Sequence, residues 1–323
     1  MPSSVQVTKR TLGKTNIEIT PIGLGMMEFA GGGGLLGAAF PKISQEEKNA
    51  TVKAGLDGGI TWFDTAELYG GGVSEASLAA ALKAAGKTTE DVVVATKWWP
   101  LFRTANNIPK TIEDRLRFLN GYRIDLYMVH QPIGFSSPED EMDEMAKLVT
   151  AGKIRSVGVS NFNPERMRRA ARQLEKYGLS LAVNQVRYSL LDRRIERDGI
   201  LETAKELGVT IIAYTPLESG LLSGKYHKDP GLLQKKSRFY RARLRNKVDK
   251  SRVLVSALEE IGREHDATAA QVALNWVIHS QGDCVVTIPG VTKVSQAQDN
   301  AGAMTFTLTT DEIDRLSELS RIL

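Results

Sequence analysis

The chain has 323 residues, 42% of them apolar and 25% charged, which excludes a disordered or low-complexity polypeptide. A single cysteine, Cys284, excludes an intramolecular disulfide framework, and no apolar run approaches the roughly 18–20 residues of a membrane-spanning helix. Net charge is +4 and unevenly placed: Lys235–Arg252 carries nine Lys/Arg against one acid, a local +8 that leaves −4 for the rest of the chain. With no apolar signal segment in Met1–Val5, the expectation is a soluble, cytoplasmic protein, with a removed organelle transit peptide left open.

Thr8–Ile22 alternates around a Gly13-Lys14-Thr15-Asn16 turn and predicts a short hairpin. Pro21–Gly25 reads as a strand and Gly31–Gly37 as a flexible stretch. Ser44 caps a helix running to Leu56 and closing at Gly58-Gly59. A β-α alternation follows. Strands Thr61–Asp64, Val92–Lys97, Asp125–His130, Ser156–Asn161 and Ala182–Val186 precede helices Ser74–Ala85, Lys110–Leu119, Glu139–Thr150, Pro164–Tyr177 and Gly199–Leu207. Strand Thr210–Leu217 leads through a long loop to helices Lys250–Glu264 and Ala269–His279. Strand Cys284–Pro289, helix Ser295–Ala303 and an amphipathic tail, Thr310–Ile322, complete the chain.

The strands are short, Val/Ile-rich and continuous, as expected of strands covered on both faces. Eight β-α units without a composition shift predict an α/β fold. Residues 1–323 are read as a single (β/α)8 TIM barrel with an N-terminal β-hairpin and extra helices near the C-terminus. A doubly wound open sheet is the runner-up. The literal G-x-G-x-x-G at Gly32–Gly37 is followed by Pro41 rather than opening a helix, so it fails as a dinucleotide fingerprint and reads as a mobile loop over the substrate side.

Barrel chemistry sits where the strands end. Asp64, Lys97, His130, Ser160-Asn161, Asn184-Gln185, Tyr214 and Ile288-Pro289-Gly290 occupy those ends. A lysine closing an apolar strand needs a counter-charge, which Asp64 can supply. The cation beside Tyr69 is expected to lower the phenol's pKa and make it a general acid, with His130 donating to the same substrate oxygen. The rim offers no nucleophile with a base, and the four histidines lack metal-ligand spacing. The arrangement suits protonation of an oxygen while another group supplies a hydride.

These residues make the chain resemble an aldo-keto reductase. Asp64, Tyr69, Lys97 and His130 match that family's Asp-Tyr-Lys-His tetrad. Gly158-Val159-Ser160-Asn161-Phe162 matches its Gly-Val-Ser-Asn-Phe motif, and Ile288-Pro289-Gly290 through Gln296 to Asp299-Asn300 its carboxyl-terminal cofactor motif. Tyr214–Lys225 is similar to the bacterial, plant and potassium-channel-β-like branches. The resemblance implies NADP(H) as cofactor and a small-molecule carbonyl substrate, with no nucleic-acid or membrane partner. It implies that Ser160, Asn161 and Gln185 hold the nicotinamide carboxamide, that Tyr214 stacks on the ring, and that Met26 and Met27 approach the nicotinamide-ribose side. Thr215, Pro216, Leu217, Ser219 and Leu221 would line the pyrophosphate, with Lys225 and Arg238 near the phosphates. Gly290, Thr292, Lys293, Gln296, Asp299 and Asn300 would surround the adenosine end.

Val291 and Gln298 depart from the cofactor motif. Met27, Phe29, Trp98, Trp99 and Phe102 are the candidate apolar substrate pocket. The basic run Lys235–Arg252, in the loop after the seventh strand, is either a solvated face or a cofactor clamp. A redox-sensing subunit resembling potassium-channel β subunits is the alternative function, and the presence of His130 argues against it.

Overall fold

The computed structural model describes residues 7–31, 42–234 and 238–321, with the side chains of residues 238–240, 242, 243 and 246 outside that description. Most of the Gly31–Gly37 stretch therefore lies outside the described residues. Arg10–Thr11 (β1) pairs antiparallel with Glu18–Ile19 (β2). Eight parallel strands then follow in chain order: β3 (Leu24–Gly25), β4 (Trp62–Asp64), β5 (Val93–Trp98), β6 (Ile124–Val129), β7 (Ile154–Ser160), β8 (Leu181–Arg187), β9 (Thr210–Tyr214) and β10 (Val285–Thr287). The last strand returns to the first. Gly23 N donates to Thr287 O at 2.9 Å, Thr287 N to Pro21 O at 2.9 Å and Gly25 N to Pro289 O at 3.1 Å, closing the (β/α)8 barrel.

Side-chain alternation along each strand sorts residues into two layers. Trp62, Ala95, Met128, Val183, Ile212 and Val286 point inward and form the barrel's interior cluster. Phe63, Val94, Trp98, Tyr127, Val129 and Ile211 point outward beneath the helices. Leu12, Ile17 and Ile19 of the hairpin plug the amino end of the interior. Arg10 pins the hairpin by donating to Val285 O at 2.6 Å. Gly23 is required where it stands, because a Cβ there would lie 2.3 Å from the Trp62 ring.

The helices form where the sequence supplies caps. Ser44 with Glu47 opens α1 (Gln45–Asp57) in a reciprocal capping box, and Ser137 with Asp140 does the same for α4 (Pro138–Thr150). Between them lie α2 (Val73–Ala84) and α3 (Ile108–Leu119). Asn163 caps α5 (Pro164–Glu175), and α6 (Ile200–Leu207) is flanked by Gly199 and Gly208.

The basic run after β9 is not a loop. The stretch before it contains α7 (Lys225–Lys228) and α8 (Gly231–Gln234), and the run itself forms α9 (Arg238–Lys250). Leu244 and Val248, one turn apart, pack with Leu221 and Tyr226 in a small satellite core, which gives α9 a face to bury. Lys250 accordingly ends α9, and α10 spans Arg252–Glu264. Thr268 caps α11 (Ala269–His279), and α12 (Val294–Gly302) and α13 (Thr310–Arg321) complete the described chain. No helix among the described residues is long and apolar enough to cross a membrane.

Candidate active site

Two residues on from the inward-facing Trp62, Ala95, Met128, Gly158, Val183, Ile212 and Val286 stand Asp64, Lys97, His130, Ser160, Gln185, Tyr214 and Ile288. The period-2 geometry of strands thus lifts one ring of mainly polar groups onto the carboxyl rim. Lys97 and Asp64 are wholly buried and paired, Nζ to Oδ1, at 2.5 Å. Lys97 Nζ also donates to Thr65 O at 2.8 Å, and Gln185 Nε2 donates to Asp64 Oδ2 at 2.8 Å. Burial pushes Asp64 up and Lys97 down toward their neutral forms, and their mutual attraction opposes both shifts.

Tyr69 sits in the turn between β4 and α2. Gly70, Gly71 and Gly72 follow with φ of 76°, 64° and 109°, a left-handed run only glycine adopts without strain. Lys97 Nζ lies 5.1 Å from the centre of the Tyr69 ring, and the His130 ring meets it edge-on with centroids 5.7 Å apart. Trp99 packs on His130 from another side at 5.3 Å.

The expected lowering of the Tyr69 pKa does not occur. Burial holds the phenol well above its ordinary value, and Asp64, Glu28 and Tyr214 add to the rise. The physical reason is that Asp64 neutralises the Lys97 charge at contact distance, leaving desolvation to decide the sign. Burial, then the Lys97 charge, hold His130 well below its ordinary value, so the imidazole is neutral. Its Nδ1 is buried and has no partner among the described residues.

The amides continue the ring. Ser160 Oγ donates to Gln185 O at 2.8 Å, Asn161 Nδ2 to Ser160 Oγ at 3.0 Å, and Tyr214 Oη to Asn161 Oδ1 at 3.0 Å. Asn161, Thr215, Glu218 and Ser219 all hold positive φ without being glycine. Backbone strain of that kind persists only where surrounding structure imposes it, and it gathers here on the rim segments after β7 and β9. Pro216 and Leu217 lie in the same segment, and Lys225 Nζ approaches Gly220.

The other expected positions differ in burial and in their partners. Met26 and Leu221 are fully buried in apolar clusters, while Met27 is 39% exposed. Trp98 and Phe29 are core residues of the outer layer, so neither lines an open pocket; Trp98, one residue out of phase with Lys97, donates to Asn107 Oδ1 at 3.0 Å. Asn184 is out of phase with Gln185 in the same way and donates to Phe162 O, away from the rim. At the start of α12, Gln296 Oε1 accepts from Thr292 N at 2.7 Å, and Asp299 Oδ1 accepts from Thr268 Oγ1 at 2.9 Å. Gly290 and Lys293 are exposed, and the buried Asn300 Nδ2 has no partner among the described residues. Arg238 lies in α9 with its side chain outside the description.

Sequence reasoning missed a layer of acids. Glu67 accepts from Trp99 N at 2.9 Å and Arg103 Nη1 at 2.7 Å, fixing the loop that presents Trp99 to His130. Glu75, buried behind the lysine strand, accepts from Thr96 Oγ1 at 2.6 Å and pairs with Arg115. Glu218 accepts from Arg187 and from Lys247 of α9, tying that basic helix to the end of β8. Glu28 lies half-buried beside Gly290. The available signal for Glu67 and Glu75 is their spacing around Tyr69; nothing local marks Glu218, whose partners come from distant elements.

Known proteins share this fold. The Aldo/keto reductase family model matches residues 21–321. Aldo-keto reductase str7 of Strobilurus tenacellus is 33% identical, covering 94% of this chain and 89% of its own length. A thermostable aldo-keto reductase solved with the inhibitor epalrestat is 32% identical with a TM-score of 0.76, covering 97% of this chain and 100% of that one. An aldo-keto reductase from Klebsiella pneumoniae in complex with NADPH is 26% identical with a TM-score of 0.74, covering 97% and 95%. The chain belongs to the aldo/keto reductase family.

Proposed function

We propose that the protein reduces aldehydes or ketones to alcohols with NADP(H), Tyr69 acting as the general acid. The carrying observation is the buried Lys97–Asp64 pair set against the Tyr69 ring, with neutral His130 at its edge. The rim fits the cofactor. Gln185 donates its N–H to Asp64, so its carbonyl oxygen is left to read a carboxamide. Asn300 offers a buried N–H without a partner among the described residues, and the rim segment carrying Thr215 and Ser219 is held in strained conformations.

Ser160, Asn161, Gln185 and Tyr214 would hold the nicotinamide, with Met26 and Met27 beside it. Thr215, Pro216, Leu217, Ser219, Leu221, Lys225 and Arg238 would serve the phosphates. Gly290, Thr292, Lys293, Gln296, Asp299 and Asn300 would serve the adenosine end. NADPH, when bound, supplies the hydride to the carbonyl carbon. His130, neutral, keeps one N–H to donate to the carbonyl oxygen and so orients it. Tyr69, held protonated, gives its phenolic proton to that oxygen as negative charge develops there. Lys97 then faces the phenolate; Asp64, itself held by Gln185, and Thr65 O keep the ammonium in place.

The test is NADPH oxidation against a panel of aldehydes and ketones, with Tyr69→Phe as control. Turnover of some carbonyls by wild type alone is expected. An equally active variant would remove Tyr69 as the acid, and NADPH binding without turnover of any carbonyl would favour a regulatory subunit.

A further inference from the structure

Glu28 is the second residue of the single turn Met27–Ala30 that follows β3. Its carboxylate presses on Gly290, just past β10: a Cβ on Gly290 would lie 2.7 and 2.8 Å from the two oxygens. Oε2 is buried without a hydrogen-bond partner among the described residues. Desolvation raises the carboxyl to about 7, opposed only by its own backbone N–H.

The charged groups around it are committed elsewhere. Lys48 of α1 donates to Phe29 O and Ser77 Oγ. Lys97 of β5 is held by Asp64 of β4, and Glu75 of α2 by Arg115 and Thr96. Tyr69, in the β4–α2 turn, is the titratable group whose phenol feels Glu28. Gly290, from the β10 side, offers backbone alone. Glu28 is thus an acid at the rim with no cation of its own among the described residues.

We infer that Glu28 couples NADP(H) binding to the uptake of a proton. The inference rests on the cofactor reading above, which places Gly290 among the residues serving NADP(H). The cofactor is a polyanion, and negative charge brought beside a carboxyl disfavours its ionised form. Binding therefore draws a proton onto Glu28 when the pH is near or above 7. By linkage, affinity is greatest where Glu28 is already protonated and falls as pH rises through that region. The bare Gly290 is part of the device, since any side chain there would displace the carboxyl that senses the ligand.

The test is calorimetric titration of NADP+ into the full chain from pH 6.0 to 8.5, in two buffers of different ionisation enthalpy, for wild type and Glu28→Gln. Comparing the two proteins cancels the titration of the cofactor's own 2′-phosphate. A one-unit shift of Glu28 on binding corresponds to roughly a tenfold change in affinity, so wild type should weaken about tenfold more than the variant across this range. Glu28→Gln should bind more tightly than wild type at pH 8.5, and wild type alone should show the extra proton uptake. The buffer comparison on wild type reads that uptake even if the variant folds poorly. Parallel affinity profiles, or no proton uptake by wild type beyond that of the phosphate, overturn the role of Glu28 alone. Failure of wild type to bind NADP+ at any pH overturns the cofactor reading as well.

Discussion

The Lys97 ammonium lies 5.1 Å from the centre of the Tyr69 ring, close enough to meet the charge that forms on the phenol when it gives up a proton. Burial alone makes that loss unfavourable, so the lysine matters most after the proton has gone. Tyr69→Phe should lower carbonyl reduction by about 10²–10⁴-fold, the usual range for a general acid, while leaving the NADPH dissociation constant nearly unchanged. Steady-state kinetics with a fluorescence titration separates the two.

Removing one partner of a buried ion pair leaves the other charge stranded. Asp64→Asn should destabilise the fold by about 3–5 kcal/mol, since Lys97 is fully buried and Asp64 is its only paired carboxylate among the described residues. Lys97→Met should cost less, because methionine fills the apolar space of the lysine stem and Asp64 keeps the Gln185 N–H as a donor. Urea unfolding of both variants tests the order, and a larger loss in Lys97→Met would contradict it.

Glu141, wholly buried in α4, has no hydrogen-bond partner for either oxygen among the described residues. Burial raises its carboxyl to about 8 from an ordinary 4.5, helped by Asp140 and opposed by Arg166. The folded chain then holds a proton that the unfolded chain releases, so stability falls as pH rises from about 4.5 to about 8 and levels off above. Glu141→Gln should flatten that decline. Urea midpoints at pH 5 and 8.5 for both proteins measure it; equal declines would remove Glu141 as a source.

Phe102 is 78% exposed and Phe135 69%, with ring centroids 6.3 Å apart, on the loops after β5 and β6. Phe102 holds φ at 59°, an outlier for a bulky residue, and lies three residues from Trp99. Substituting both by alanine should reduce kcat/KM severalfold for long-chain or aryl aldehydes and little for propanal, as expected for losing about 1 kcal/mol or more of apolar contact. A uniform loss across chain lengths would count against a role in holding the substrate's distal end.

Glu218 anchors α9 through Lys247 at 2.9 Å and Arg187 at 2.6 Å. Glu218→Ala should free the basic helix, raising the rate of tryptic cleavage within residues 238–250 before that of the barrel. Simultaneous cleavage of both would mean that the satellite core of Leu221, Tyr226, Leu244 and Val248 suffices to hold the helix.

The eight β-α units and the Asp64, Tyr69, Lys97 and His130 cluster were legible in the sequence, because strand ends and glycine stops carry local signals. Residue phase was less so. Trp98 and Asn184 sit beside functional residues and point the opposite way, a distinction that depends on which neighbour faces the barrel axis. The helix at Arg238–Lys250 was hidden because, among its described side chains, the buried apolar face is Leu244 and Val248, and their partners lie before the run. The sign of the Tyr69 shift was out of reach for another reason. It turns on how completely Asp64 cancels Lys97 and how little water remains, and both are properties of the closed rim.

That closure joins Pro21–Gly25 to Thr287–Gly290, segments more than 260 positions apart in the chain. Glu28 and Gly290, which meet across this seam, have no reason to be neighbours until the final strand docks. Contacts of such long range form late and slowly during folding. A nascent chain still short of residue 290 can therefore carry Asp64, Tyr69, Lys97 and His130 and still lack the seam at which the cofactor is proposed to lie.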